Sequence, residues 1–281
     1  MPELPEVEIT ARLVGAAVGG QVVESVAAPG LNTVKTFKPP LEVLEGQKLK
    51  GIRRRGKVFI LDSESGHSVL IHLMSAGRLQ LFDKRASIKD RKSRLLIRLE
   101  GGGELRLREF GTHQRAWARV VATEDVESDE YLAGIGPEAW PEPPDLQDLL
   151  DGPRPLYTVL RDQKVIAGIG RSWVDEILWT AKLSPFRRGA DLAGEEAATL
   201  RSAMVERLGG AIHHYEQELE LPLPDKLPLP LMVHRHEGDP CPSCGNTIEA
   251  VHYSDYVMCY CPKEQTGGKS LKDRRMSKLL K

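Results

Sequence analysis

Long apolar runs are missing from this chain: none approaches the roughly 18 residues a membrane span needs, so a membrane-embedded protein is not expected. Also missing is a basic opening followed by an apolar stretch, so no secretory signal is read and a cytoplasmic location is expected. Cysteine is scarce. The chain has four, all between 241 and 261, whereas a disulfide-stapled secreted domain would spread them; a cluster at one end of an intracellular chain points to metal. Net charge is nearly absent too, with 39 Lys and Arg against 40 Asp and Glu. Read as one number, that balance argues against nucleic acid. Its distribution argues the other way: Glu124 to Asp151 holds ten acids and no Lys or Arg, while 48–57 and 269–281 are strongly basic. Such segregation can leave a positive face on a neutral protein, although either basic run alone is as readily solvated surface.

What is present sorts into domains. At 281 residues the chain exceeds one compact core, so two or three domains are expected. Val7, Ala11, Val14 and Val18 keep helical spacing before Gly19-Gly20 stop the helix. β-type runs at 57–62, 69–73, 94–99, 104–108 and 115–122 predict an N-terminal two-sheet β-sandwich with one helix over 1–123. The acidic, proline-rich stretch 124–153 reads as a linker. Residues 154–232 turn helical, with Leu200, Met204, Leu208, Ala211 and Ile212 on one face, until the prolines of 218–233 forbid a helix. Residues 233–281 carry the cysteines, a hairpin around 252–261 and a basic end. The fold class expected is α+β.

Cys241-Pro-Ser-Cys244-Gly has the form of a zinc knuckle, and Cys259 and Cys261 follow after fourteen intervening residues. Thiolates so spaced let two loops converge on one tetrahedral ion, with Zn–S bonds of about 2.3 Å. The zinc would be structural, a single ion whose four protein ligands leave no open position. One detail is irregular: the second pair is C-x-C, and Glu264 stands three residues after Cys261. The fourth ligand is therefore Cys259 or Glu264, and the preference of structural zinc for thiolate favours Cys259.

The opening Met1-Pro2-Glu3-Leu4-Pro5-Glu6-Val7-Glu8 offers a second chemistry. Removal of the initiator Met would free the secondary amine of Pro2, a nucleophile able to form an iminium at a sugar C1′. An α-amino group titrates near about 7.7–8.0, and the positive end of the following helix lowers that further. Alone, a proline at position 2 carries no meaning. Joined to the rest of the chain, it does. PELPEVE, Arg54-Arg55-Gly56-Lys57, Ile71-His72-Leu73-Met74-Ser75-Ala76-Gly77, Arg108-Glu109-Phe110-Gly111, Asp162-Gln163 with Ala167-Gly168-Ile169-Gly170, and the cysteines lie along the whole length. In that order they resemble the motifs of the formamidopyrimidine-DNA glycosylase/endonuclease VIII family.

The resemblance implies a bifunctional DNA glycosylase and abasic-site lyase of base excision repair, a monomer acting on damaged double-stranded DNA. Its fold would be an N-terminal β-sandwich, a helix–two-turn–helix domain and a C-terminal β-hairpin zinc finger, gripping bent DNA between halves. Pro2 would be the nucleophile, Glu3 the proton donor and shuttle, and Lys57 the holder of phosphate beside the lesion. His72, Met74 and Ser75 would contact DNA, while Arg108 and Phe110 would fill the gap left by a flipped nucleotide. Gly170, Arg171, Tyr256 and Lys269 would face the DNA backbone.

Five departures from the family pattern stand out. HLGMSG becomes HLMSAG, so Ser75 holds the register of the wedge methionine and Met74 stands one place early. The Asn after GIG is Arg171, with longer reach and full charge. Tyr256 aligns with the arginine that holds phosphate from the zinc finger, and Glu264 replaces the last family cysteine. The glycine-rich loop that closes over 8-oxoguanine is replaced by the short ELPLPDKLPLP. Oxidised pyrimidines, ring-opened purines, abasic sites or a bulkier adduct are therefore expected ahead of 8-oxoguanine. The rival reading is a catalytically silent DNA-structure binder of the same fold. A zinc-ribbon adaptor would explain only the C-terminus.

Overall fold

The valine spacing near the N-terminus folds into helix α1 (Leu4–Val18), with Glu3 as its N-cap. The Glu3 N–H donates to the Glu6 carboxylate at 2.8 Å, half of a capping box that satisfies an otherwise orphan donor. Val7, Ala11, Val14 and Val18 are buried. The computed structural model describes residues 2–30, 32–150 and 152–271. Met1, whose removal matters to the chemistry, and most of the basic end, 272–281, lie outside the described residues.

Beside α1, eight strands form two four-stranded antiparallel sheets. One runs in the order β1 (Val23–Ala27), β6 (Ser93–Leu99), β7 (Glu104–Glu109), β5 (Gly77–Phe82). The other runs β2 (Leu49–Arg55), β3 (Val58–Ser63), β4 (His67–His72), β8 (Trp117–Ala122). Their inner faces share a core with α1, in which Phe59, Leu61, Val69 and Ile71 join Leu95, Ile97, Leu105 and Leu107. The middle strands β3 and β4 are covered on the outer face as well, where Val58, Ile60 and Leu70 pack with Val126, Leu132 and Tyr131. Burial on both faces is why these strands read as continuous apolar runs. Truncating Phe59 to Ala would cost about 3–5 kcal/mol.

Three strands, β1, β2 and β5, are absent from the sequence reading. In β2 the run Lys50-Gly51-Ile52-Arg53-Arg54-Arg55 hides a strand behind charge, but its arginines have partners: Arg53 meets Asp62 at 2.8 Å and Arg54 meets Glu8 at 2.5 Å. Helix α1 presses directly onto this strand at Gly15, where a Cβ would come within 2.9 Å of the Ile52 backbone nitrogen.

The chain divides into two compact units, residues 1–135 with 212–228, and residues 136–211 with 229–281. The division between 135 and 136 falls inside the acidic stretch 124–153. The second unit contains α2 (Leu146–Leu149), α3 (Leu156–Val159), α4 (Arg171–Thr180) and most of α5 (Gly194–Glu218). It ends with the hairpin β9 (Glu249–His252) and β10 (Val257–Tyr260), then α6 (Pro262–Gln265). On α4, Trp173, Val174, Ile177 and Leu178 are buried, and so are two acids. Glu176 accepts N–H groups from Met232, Val233 and His234 and pairs with Arg207 at 3.0 Å. Asp175 bonds His234 Nδ1 at 2.6 Å and the Cys259 N–H at 2.9 Å, while burial pushes its carboxyl up to about 7. These two carboxylates seat the cysteine-bearing segment on α4. The proline-rich 219–231 is not helical, as its composition predicts. Among the described residues, no helix is long and apolar enough to cross a membrane.

Candidate functional site

In the first unit, Lys57 sits in a two-residue hairpin turn between β2 and β3, with Gly56 at φ 57° supplying the conformation a side chain resists. The Glu8–Arg54 ion pair fastens the first turns of α1 to the strand that leads into this turn. Glu3, 2% exposed, opens the helix directly after Pro2. Glu6 accepts the Tyr215 hydroxyl at 3.1 Å, which with the Glu3 N–H fixes both oxygens of a buried carboxylate.

Beyond Lys57 in the sheet stands His72, 7% exposed. Its ring stacks on Trp117, with centroids 5.6 Å apart, and meets Tyr131 edge-on. Nδ1 accepts the Met74 N–H at 2.9 Å, so the neutral ring carries its proton on Nε2, which faces the Tyr131 hydroxyl at 3.2 Å. Burial, then the Lys57 charge, lowers its pKa to about 4. Both ring nitrogens are thus engaged inside the protein. The bond to Met74 holds that residue in the left-handed region at φ 49°, which leaves Met74 half-buried and Ser75 exposed at the loop tip. Gly77 closes the loop: a Cβ there would stand 2.5 Å from the Leu73 carbonyl oxygen. Phe110 adjoins the loop through its N–H to the Ala76 carbonyl, 3.2 Å, and its ring is 37% exposed.

Arg108 is occupied. Its guanidinium bonds Asp225 at 2.7 Å and Gln80 at 3.1 Å, and lies over the rings of Phe110 and Phe82. Asp225 belongs to the proline-rich segment, which runs along this sheet as a strap. Leu219, Leu221, Leu223 and Leu227 pack against the sandwich core, Gln80 donates to the Leu223 carbonyl at 2.8 Å, and Arg78 donates to the Asp225 carbonyl at 2.6 Å. Sequence reasoning missed Asp225, Trp117 and Tyr131, because only the folded sheets bring them to Arg108 and His72.

In the second unit the turn before α4 is braced by Gln163, which accepts the Gly168 N–H at 3.0 Å and donates to the Ile169 carbonyl at 2.7 Å. Gly168 adopts φ 107°, and Gly170 caps α4. Arg171, the first helical residue, pairs with Asp255 at 2.6 Å and lies 4.7 Å over the ring of Tyr256. Tyr256 stacks on Tyr253 at 4.3 Å and on Tyr157 at 5.9 Å. A second guanidinium, Arg161, covers both Tyr157 and Tyr256, at 4.2 and 4.8 Å. The structure thus gathers Gly170, Arg171 and Tyr256 and adds Arg161, whose only sequence signal was its place beside Asp162-Gln163. Lys269 is exposed beyond α6.

The cysteines correct one expectation. The sulfurs of Cys241, Cys244 and Cys261 lie within 4.8 Å of one another, and those of Cys244 and Cys261 are 3.5 Å apart. A tetrahedral ion with bonds of about 2.3 Å sets sulfurs about 3.8 Å apart, so the triad fits a zinc-sized ion. Cys259 is not part of it. Its sulfur accepts the Arg235 N–H at 3.2 Å, and the residue is packed into the small core of this region. The favoured fourth ligand therefore stands outside the three-sulfur group.

Comparison with known proteins places this geometry. Residues 1–113 match the formamidopyrimidine-DNA glycosylase N-terminal domain and residues 135–221 match the H2TH domain of the same enzymes. A formamidopyrimidine-DNA glycosylase of Pediococcus pentosaceus is 30% identical over 93% of this chain and 98% of its own length. The chain belongs to the formamidopyrimidine-DNA glycosylase family. It is thereby an enzyme of the DNA glycosylase and abasic-site lyase class, acting on damaged bases in DNA. A formamidopyrimidine-DNA glycosylase-like protein of Mycobacterium tuberculosis is 44% identical over 52% of this chain and 94% of its own length. Among solved structures, the Lactococcus lactis glycosylase bound to DNA containing N7-benzyl-Fapy-dG superposes with a TM-score of 0.83 at 26% identity, over 94% of this chain and all of that one.

Proposed function

We propose that the processed chain excises damaged bases from double-stranded DNA as a monomer, with Pro2 as the nucleophile. The amine attacks C1′, the base departs with its bonding pair, and Glu3 protonates the sugar-ring oxygen as the ring opens. The resulting iminium draws electrons from C2′. Loss of a C2′ proton then expels the 3′ phosphate, and a second elimination can expel the 5′ phosphate. Lys57 would balance charge on the phosphate beside the lesion. The observation that carries this reading is the N-terminal turn of α1, where Pro2 and Glu3 open a helix fastened by Glu8 and Arg54 to the strand entering the Lys57 turn.

The wedge falls to Met74, Ser75 and Phe110, the adjoining loop residues, with Arg108 beside them on Asp225. Backbone phosphate would meet Gly170, Arg171 and Arg161 around Tyr256, with Lys269 adding charge. Zinc, held by the cysteine triad, would order the hairpin carrying Tyr256; its role is structural. The strap supports a substrate choice. Its leucines and Asp225 are committed to the sheet, which leaves no long loop to fold over an oxidised purine. Oxidised pyrimidines, ring-opened purines or bulkier adducts are favoured over 8-oxoguanine.

Borohydride trapping on an abasic-site oligonucleotide tests the mechanism. An adduct mapping to the N-terminal residue, reduced in Pro2→Gly, is expected. Salt-sensitive binding without any adduct, after confirmed loss of Met1, would sink it in favour of the silent binder. A lesion panel in which 8-oxoguanine is the best substrate would overturn the substrate choice.

A further inference from the structure

The three-thiol cluster supplies three of the four ligands of a tetrahedral ion, and three residues after Cys261 stands a carboxylate, Glu264. Cys261 is the N-cap of α6 and Glu264 is its third helical residue, so the helical turn brings the Glu264 side chain back toward the Cys261 sulfur. The Glu264 backbone and carboxylate lie close enough to the Cys261 and Cys244 sulfurs to act on them electrostatically. One carboxylate oxygen, Oε2, is held at 3.0 Å by the ammonium of Lys182, just past the end of α4. The cluster is supported around it: Cys241 accepts the Trp179 indole N–H at 3.3 Å and the N–H groups of Ser243 and Cys244. Donors of this kind stabilise thiolate over thiol.

We propose that Glu264 is the fourth ligand of a Cys₃Glu zinc site, bound through Oε1, with Lys182 as a positioning residue on Oε2. Carboxylate oxygen binds zinc at about 2.0–2.2 Å, against about 2.3 Å for thiolate, and the longer glutamate side chain supplies reach from the third residue of α6. It also carries the same single negative charge as a thiolate. Cys259, the alternative by sequence, lies outside the three-sulfur group, whereas Glu264 lies on the helical turn that Cys261 opens. The inference concerns the metal alone and stands or falls separately from the Pro2 chemistry.

Cobalt reconstitution of the full chain tests it, because thiolate-to-cobalt charge transfer scales with the number of bound sulfurs and the visible bands report an oxygen ligand. The wild type is expected to show three bound thiolates. Cys259→Ser should leave the spectrum and zinc affinity unchanged. Glu264→Cys should raise the charge-transfer intensity to that of four thiolates and shift the visible bands to lower energy. Glu264→Gln should weaken zinc, read by competition with a chromogenic chelator, by roughly 10- to 100-fold. Lys182→Ala should weaken it less and keep the three-thiolate spectrum. A four-thiolate wild-type spectrum that falls to three in Cys259→Ser would overturn the assignment. So would a Glu264→Gln protein with unaltered affinity and bands. Should Glu264→Gln fail to fold, the Glu264→Cys and Cys259→Ser spectra still decide.

Discussion

The two units of this enzyme treat the family pattern differently. In the first, the positions proposed to carry the chemistry, Pro2, Glu3 and Lys57, keep the residue types of the family motifs, while the departures lie beside them, in the Met74-Ser75 loop and the proline-rich strap. In the second, the positions expected to hold phosphate are rebuilt: Arg171 follows the GIG turn, Tyr256 takes an arginine's place, and Arg161 joins them over the same ring. The difference has a physical reason. A covalent step needs one nitrogen at one carbon, and no neighbour can substitute for it. A phosphate needs positive charge within reach, and long guanidinium side chains can supply it from several backbone positions.

The comparison predicts unequal costs. Glu3→Gln should cause the largest loss, roughly 10²–10⁴-fold in base excision, because it removes the proposed proton donor. Its DNA affinity should stay near wild type. A matching loss of affinity would mean that Glu3 only supports the fold of α1, and the contrast between units would weaken. Arg161 and Arg171 should each matter less. Replacing either by Ala is expected to lower affinity about tenfold and reduce the salt dependence by about one phosphate contact, with single-turnover excision at saturation almost unchanged. An unchanged salt slope in the double variant would place the phosphate grip elsewhere.

The same contrast governs how much the sequence discloses. The sandwich was legible in β3, β4, β6, β7 and β8 because burial makes their residues apolar. Strands β1, β2 and β5 were not, because β2 carries charge satisfied by Asp62 and Glu8, partners remote in sequence. Pro2, Glu3 and Lys57 are singled out by motif order rather than by any local property, and their roles remain proposals. Asp225, Tyr131, Arg161 and Lys182 were invisible, since each acquires its role from a neighbour that only folding supplies. Cys259 falls outside the three-sulfur group for the same reason: spacing cannot tell which cysteine of a C-x-C pair turns toward Cys241 and Cys244.

His72 sharpens the comparison, since it belongs to the conserved-looking unit and yet is enclosed rather than displayed. Its pKa falls from 6.5 to about 4, chiefly through burial and then through Lys57. The sign follows from linkage. Between these values the unfolded chain takes up a proton that the folded ring refuses, so stability is full above about 6.5 and lost as pH falls toward 4. The loss should reach about 2 kcal/mol by pH 5. The stability difference between the wild type and His72→Gln, which keeps an acceptor for the Met74 N–H, should change by this amount between pH 7.5 and pH 5, a comparison that cancels the opposite contribution of Asp175, whose carboxyl burial pushes up to about 7.

Asp225→Asn gives the smallest predicted effect. The carboxylate is half-exposed, so its pair with Arg108 is screened and contributes no more than about 1 kcal/mol to stability. The substitution keeps the strap's leucines in place and removes only the charge that holds Arg108. If Arg108 reads the strand opposite the lesion, freeing it should alter discrimination among opposite bases by a few-fold while excision from the preferred pair changes little. Excision measured against all four opposite bases checks this. Unaltered discrimination would mean that Gln80 and the rings of Phe82 and Phe110 suffice to orient Arg108. In that case the strap's contribution is confined to covering the sheet, and the departure from the long-looped relatives lies in the base pocket alone.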